Sequence, residues 1–286
     1  MKVLVIGSEG QLGSEIKNFS KTQNSISWVF SSIKTLDLLN LNSIDNYLNK
    51  INPTVVINCA AYTNVDKAEK EFYKADIINH KAPELISRWT NKKNRKLIQI
   101  STDYVFDGLS NISLSENSKT KPVNEYGSSK LKGEIACLKN DPNSIIIRTS
   151  WLYSSFGKNF VKTMIHLMKI NKSVEVVNDQ IGSPTYAYDL AKVILKIILN
   201  YKTESGLFHY SNEGETSWFE FARSIKELYN LDCKIIGVSS KEFKTLAKRP
   251  KYSLLNKSKI KTTFNLEIPD YKQSLKNCID IIKNEA

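Results

Sequence analysis

The 286 residues are 41% apolar and 24% charged, ordinary values for a soluble globular chain, which argue against a disordered or membrane protein and fit one large domain or one plus a smaller one. No apolar run approaches the roughly 18 residues that span a bilayer, and the first strand starts directly after Met1 with no room for a leader, so a cytoplasmic protein without membrane contact is expected. The net charge of +12 arises from 41 basic against 29 acidic residues, but only five bases are arginines and no aromatic-interleaved basic motif accompanies them, so a nucleic-acid partner is not expected and the basic field suits a phosphorylated substrate and cofactor instead.

Residues 2–6 open the chain as an apolar strand, and residues 11–20 read as a helix. Between them lies Gly7-Ser8-Glu9-Gly10-Gln11-Leu12-Gly13, where glycines permit a tight turn and free N–H groups at the helix start face a dinucleotide pyrophosphate. Gly7, Gly10, Gln11, Leu12 and Gly13 are therefore cofactor-binding candidates. Its spacing is Gly-x-x-Gly-x-x-Gly rather than the Gly-x-Gly-x-x-Gly of the simplest dehydrogenases.

Residues 27–30 form the second strand, ending in Ser31-Ser32 with Lys34 beyond. A carboxylate at this point normally takes the ribose 2′-OH and selects NAD. Its lack leans the reading to NADPH, with NADH tolerated, and makes Ser31 a cofactor-binding candidate. A helix at 43–49, a strand at 55–58, helices at 65–71 and 72–90, a strand at 97–101, a helix at 124–139 capped by Asn124, and a strand at 144–149 follow.

Most strands are continuous apolar runs, as expected when helices cover both faces. Alternating β and α at this spacing predicts an α/β fold with a doubly wound, Rossmann-like parallel sheet over residues 1–150. Beyond Trp151 the pattern loosens. Residues 174–177 and 207–210 read as short strands, 189–200 as an apolar helix, and Ser217-x-x-Glu220 as a capping box opening a helix at 217–229. Residues 151–286 are read mainly as a smaller interwoven α/β substrate-binding part, with some segments returning to the first domain. Four cysteines at 59, 137, 233 and 278 have neither Cys-x-x-Cys spacing nor a His partner, so reduced thiols and no metal site are expected.

Tyr126 and Lys130 stand four apart, on one face of a helix. A cation beside a tyrosine favours the phenolate and lowers its pKa, making it a usable proton donor, while the same lysine can hold the nicotinamide ribose. Thr102 closes the fourth strand, where open α/β folds place ligands, and its hydroxyl can donate to a carbonyl oxygen that gains charge. Asp103 is then within reach of a substrate hydroxyl; Ser101-Thr102-Asp103 also fits an ordinary strand-end turn. Arg249, one of the five arginines, offers a fork suited to a pyrophosphate, or sits as a surface arginine near a turn.

These motifs, with residues 58–69, Thr102-Asp103-Tyr104-Val105-Phe106-Asp107-Gly108, Asp179-Gln180-Ile181-Gly182-Ser183-Pro184-Thr185 and Arg249-Pro250, resemble the extended short-chain dehydrogenase/reductases over most of the chain. The resemblance implies reduction at C4 of a nucleotide-linked 4-keto-6-deoxy sugar, with dTDP-4-dehydro-L-rhamnose going to dTDP-L-rhamnose. It implies Thr102, Tyr126 and Lys130 as catalytic residues; Ala60, Ala61 and Tyr62 beside the cofactor; Asp37 and Leu38 near its adenine; and Val65, Asp103 and Trp151 near the sugar. A nucleotide sugar is the expected partner, with a homodimer compatible. Tyr252 before Ser253 and Asn256 after Leu255 stand where the family usually carries Asn and Asp, which leaves the exact sugar open. Related dehydratases carry Glu where this chain has Tyr104, which disfavours dehydration, whereas an epimerase on the same residues and a nicotinamide-binding regulatory subunit remain alternatives.

Overall fold

The structure, a computed structural model, describes residues 1–199 and 204–285. Five apolar runs become parallel strands: β1 (Lys2–Ile6), β2 (Ser27–Ser31), β3 (Val55–Asn58), β4 (Lys96–Thr102) and β5 (Ile145–Thr149). The side chains of β1 explain why the runs do not alternate. Val3 and Val5 enter one apolar layer, Leu4 and Ile6 the other, and all four are buried. Ile57 and Val56, Ile98 and Leu97, and Ile147 and Ile146 divide between the layers in the same way.

The first layer is closed by Leu12 and Ile16 of α1 (Gln11–Ser20). Ile44 and Leu48 of α2 (Asn42–Ile51) close the second. After β3 come two short helices, α3 (Val65–Ala68) and α4 (Phe72–Asp76), then a π-helical turn at Ile77–Lys81, α5 (Ala82–Lys92) and α6 (Glu125–Asn140). The helix expected at 72–90 is thus interrupted by a wider turn, which a 3.6-residue periodicity cannot reveal. Ile86 and Trp89 of α5 and Cys137 of α6 complete the second layer.

Past β5 the chain passes through β6 (Leu152–Tyr153), α7 (Phe160–Ile170), β7 (Ser173–Val177), β8 (Ile181–Gly182) and β9 (Thr185–Tyr186) to α8 (Ala187–Leu199). Of the helix expected at 189–200, Asn200 lies outside the described residues. Leu190, Ile194, Ile197 and Ile198 of α8 are buried in the first layer, alongside α1. The strand expected at 207–210 in the smaller part is β10 (Gly206–His209), and it belongs to the main sheet: Leu207 pairs in parallel with Ile146. The sheet order is β10-β5-β4-β3-β1-β2.

The remaining elements are β11 (Thr216–Ser217), α9 (Trp218–Tyr229), β12 (Lys234–Val238), α10 (Ser258–Phe264) and α11 (Tyr271–Asn284). Ile260 and Phe264 of α10 return to the main sheet. A second core joins α7, α9 and α11 around Val161, Phe221 and Leu275, with β7 and β12 paired in parallel. Ser217 caps α9, its hydroxyl accepting from Glu220 N at 3.1 Å.

Register brings the functional ends together. Ile6 pairs with both Ser31 and Asn58, and Thr102 pairs with Thr149. From β1 the chain proceeds to β2 on one side and β3 on the other, so loops diverge at this edge and leave a crevice at the carboxyl ends.

Candidate active site

The glycine loop lies between β1 and α1. Gly7 has φ +79°, and a Cβ there would stand 2.6 Å from Ala60 N; at Gly13 it would stand 2.3 Å from Gly7 O. Neither position admits a side chain, so the loop, the Ala60 segment and α1 approach at backbone distance. Gly7 N and Ser8 N donate to Ser31 O at 2.9 and 3.0 Å, tying the loop to β2. First-turn N–H groups at Gln11, Leu12 and Gly13 have no helical acceptor, the arrangement that can take a pyrophosphate.

The end of β2 differs from the expectation for Ser31. Its side chain is fully buried and its hydroxyl is bonded to Tyr47 of α2 rather than turned to the surface. The cause is strand alternation, which turns Ser31 inward and leaves Ser32 partly exposed and Lys34 exposed. Asp37 is exposed, its carboxylate accepting from Leu39 N at 2.9 Å, while Leu38 packs into the second layer.

Ala60, Ala61 and Tyr62 leave β3 as a half-buried segment. Asn79, in the π-helical turn, fixes it: Oδ1 accepts from Tyr62 N at 2.9 Å and Nδ2 donates to Tyr62 O at 3.1 Å. The same Nδ2 donates to Ser129 Oγ at 3.0 Å, on the helix that carries Tyr126 and Lys130. Sequence reading missed Asn79; a lone Asn in an apolar helical stretch was the only signal.

Thr102 ends β4, and Asp103 starts the 3₁₀ turn Asp103–Val105. Tyr126 and Lys130 come from α6, whose first turn is capped by Asn124 Oδ1 accepting from Gly127 N at 2.8 Å. A Cβ at Gly127 would stand 2.1 Å from Tyr104 O, so only glycine lets α6 press onto the turn after β4. That approach brings the Thr102 hydroxyl within reach of the Tyr126 phenol. Thr102 Oγ1 also donates to Asp103 Oδ1 at 3.1 Å, giving its single proton two acceptors.

Burial pushes the Tyr126 phenol up to about 12, against the Thr102 hydroxyl that favours its phenolate. Lys130 does not supply the expected lowering, and Tyr126 is protonated at neutral pH. Burial brings the Lys130 ammonium down to about 8, with Glu134 opposing. Lys130 Nζ donates to Ile100 O at 2.6 Å, which seats it at the end of β4. Glu134 is itself forked by Arg148 at 2.9 and 2.7 Å, with both side chains 3% exposed.

Burial raises the Asp103 carboxyl to about 6, the nearby Ser253 and Thr102 hydroxyls opposing. Its Oδ2 has no well-formed hydrogen bond. Trp151 adopts φ +48°, rare for a bulky residue, and stacks on Trp218 at 3.7 Å between ring centroids. Trp151 and Ser253 Oγ both lie about 3 Å from where a Cβ at Gly182 would stand, so the indole neighbours the Asp103 side of the site. Val65 begins α3, beside Asp66.

Arg249 is the second departure from expectation. Its fork is filled by Asp66, Nη1 to Oδ1 at 2.9 Å and Nη2 to Oδ2 at 2.5 Å. The guanidinium is not free for a pyrophosphate. Asp66 lies 183 positions earlier, and no local pattern announces the pair.

The family model of the RmlD substrate binding domain matches residues 1–284. A dTDP-4-dehydrorhamnose reductase from Aggregatibacter actinomycetemcomitans is 35% identical over 287 residues, covering 96% of this chain and 97% of its own. The crystal structure of a dTDP-4-dehydrorhamnose reductase from Clostridium acetobutylicum matches with a TM-score of 0.95 and 39% identity, over 99% of this chain and 100% of that one. The Bacillus anthracis dTDP-4-dehydrorhamnose reductase, solved in complex with NADP, gives 0.93 and 37%, over 98% and 99%. Matched in sequence almost from end to end, the chain belongs to the RmlD substrate binding domain family.

Proposed function

We propose that this protein reduces the C4 ketone of dTDP-4-dehydro-L-rhamnose to dTDP-L-rhamnose, using NADPH and accepting NADH. The observation that carries the reading is the convergence of Thr102, Tyr126 and Lys130 where β4 ends against α6, on the sheet edge that also holds the glycine loop. The substrate comes from the relatives, whose names state it. Gly7 and Gly13 leave room for no side chain beside a helix start rich in N–H groups, which fits a dinucleotide. Absence of a carboxylate at the end of β2 supports a 2′-phosphate without excluding a 2′-hydroxyl, and Ser32 and Lys34 are the groups exposed there.

When bound, the nicotinamide supplies a hydride to C4. Tyr126, protonated at neutral pH, gives its proton to the C4 oxygen as the carbonyl electron pair moves there. The Thr102 hydroxyl stabilises the charge on that oxygen or on the phenolate left behind. Lys130, charged below about pH 8 and held by Ile100 O, steadies the phenolate electrostatically and is available to ribose hydroxyls. Asp103 offers its unpaired Oδ2 to a sugar hydroxyl, and Trp151 covers the sugar with an apolar wall.

The test is incubation with dTDP-4-dehydro-L-rhamnose and either cofactor, followed by NMR of the product. One mole of cofactor oxidised per mole of dTDP-L-rhamnose is expected. Interconversion without net oxidation would establish an epimerase, and cofactor binding without turnover a regulatory subunit.

A further inference from the structure

Residues 247–256 form a strap without helix or regular strand that passes the start of α6 and the turn after β4. Lys248 O accepts from Asn124 Nδ2 at 2.7 Å, and Asn124 also caps α6, so strap and catalytic helix share one side chain. Tyr252 N donates to Gly108 O at 3.2 Å, Ser253 N to Ile181 O at 2.9 Å, and Asn256 N to Leu114 O at 2.7 Å. At the strap's start, Asp66 Oδ1 accepts from both Ala247 N at 3.0 Å and Arg249 Nη1 at 2.9 Å. Arg249 Nη1 also donates to Ala247 O at 2.7 Å, closing a ring of contacts. The Arg249 hydrogen bond draws the Asp66 carboxyl down to about 2, so the pair is ionic throughout the working range.

The other side of the guanidinium reaches the Tyr104 hydroxyl. Tyr104 in turn meets Tyr126 edge to face, with ring centroids 5.6 Å apart. Further along the strap, Ser253 stands beside Asp103. Arg249 is only partly exposed and both of its Nη atoms are engaged, which is not the condition of a residue awaiting an anion.

We infer that Asp66 and Arg249 form a clasp that holds the strap closed and so positions Tyr104 against Tyr126 and Ser253 against Asp103. Both are positioning residues for the reduction proposed above, on which the kinetic part of the inference rests. The clasp joins the segment beside Val65 to the C-terminal quarter of the chain. None of the clasp's hydrogen bonds involves Gly7–Gly13 or Lys130, so NADPH affinity should be left nearly unchanged.

The test uses Asp66→Asn and Arg249→Lys, each keeping size or charge while losing the ionic fork. Each should lower kcat/KM for the dTDP sugar roughly tenfold or more, with the NADPH Kd changed less than about twofold. The double variant should fall little further than either single one, because the partners act through one contact. If Arg249 instead bound the substrate pyrophosphate, Asp66→Asn would free the fork and leave KM unchanged or lower; that result overturns the clasp. Equal losses in NADPH affinity, or additive losses in the double variant, overturn it too.

Amide hydrogen exchange on the unaltered protein gives a readout that needs neither substrate nor a stable variant. The Ala247 and Ser253 amides should exchange slowly, as hydrogen-bonded backbone does. Exchange at the rate of a free loop would overturn the inference while leaving the proposed reduction standing. Slow exchange without turnover would overturn only the functional reading.

Discussion

Replacing Asp103 by Asn should stabilise the protein, and by an amount that grows with pH. The wild-type carboxyl titrates near 6 in the folded chain because burial opposes its charge, and near 3.8 when unfolded. The folded state therefore holds its proton longer. Stability from this group is fully present below about pH 4 and is lost as pH rises through 6. About two pH units at roughly 1.4 kcal/mol each amount to about 3 kcal/mol at pH 8, an upper figure because Asn keeps only some of the bonds to Thr102 and Ser253. Urea unfolding of both proteins at pH 4.5, 6 and 8 gives the difference by linear extrapolation. The gap should widen in favour of Asn by about 2 kcal/mol over that range, while kcat/KM for the sugar falls because Asn offers one acceptor oxygen and no charge. A gap that is flat with pH, or that widens in favour of Asp, would refute both the burial argument and the sign.

Tyr126→Phe removes the proton donor but keeps the ring, so kcat should drop by about 10²-fold or more with NADPH affinity preserved; near-normal turnover would remove Tyr126 from the mechanism. Arg148→Met leaves Glu134 buried without its fork, and chemical unfolding should register a loss of about 3–5 kcal/mol; a loss under about 1 kcal/mol would mean the pair is replaceable. Ser32→Asp, at the partly exposed position next to the buried Ser31, should raise the KM for NADPH far more than that for NADH. Equal effects on both cofactors would put the 2′-phosphate elsewhere.

The sheet was legible because β1, β3, β4 and β5 are apolar on both faces, and Gly7–Gly13 and Thr102 fall at their ends. What stayed hidden depends on pairing across distance. Gly206–His209 reads like any short strand, and only its pairing with β5 assigns it to the main sheet. Val193, Ile194, Ile197 and Ile198 mark a deeply buried helix, but not that its partner is α1. Being last in a strand says nothing about which face the Ser31 side chain takes, and here it points to Tyr47. The Tyr126 acidity was misjudged in sign, since an i,i+4 lysine is visible in sequence and the depth of burial is not. Asp66 and Arg249 lie far apart in the chain, and sequence shows the Arg249 fork but not that Asp66 fills it.

The central claim, hydride delivery to the sugar ketone, is tested most directly with NADPH deuterated at the transferring C4 position and dTDP-4-dehydro-L-rhamnose. One deuterium at C4 of the recovered dTDP-L-rhamnose, with one equivalent of NADPH consumed, is the expected result. A product without deuterium at C4, or a sugar left unchanged while NADPH stays bound and unoxidised, would contradict the account.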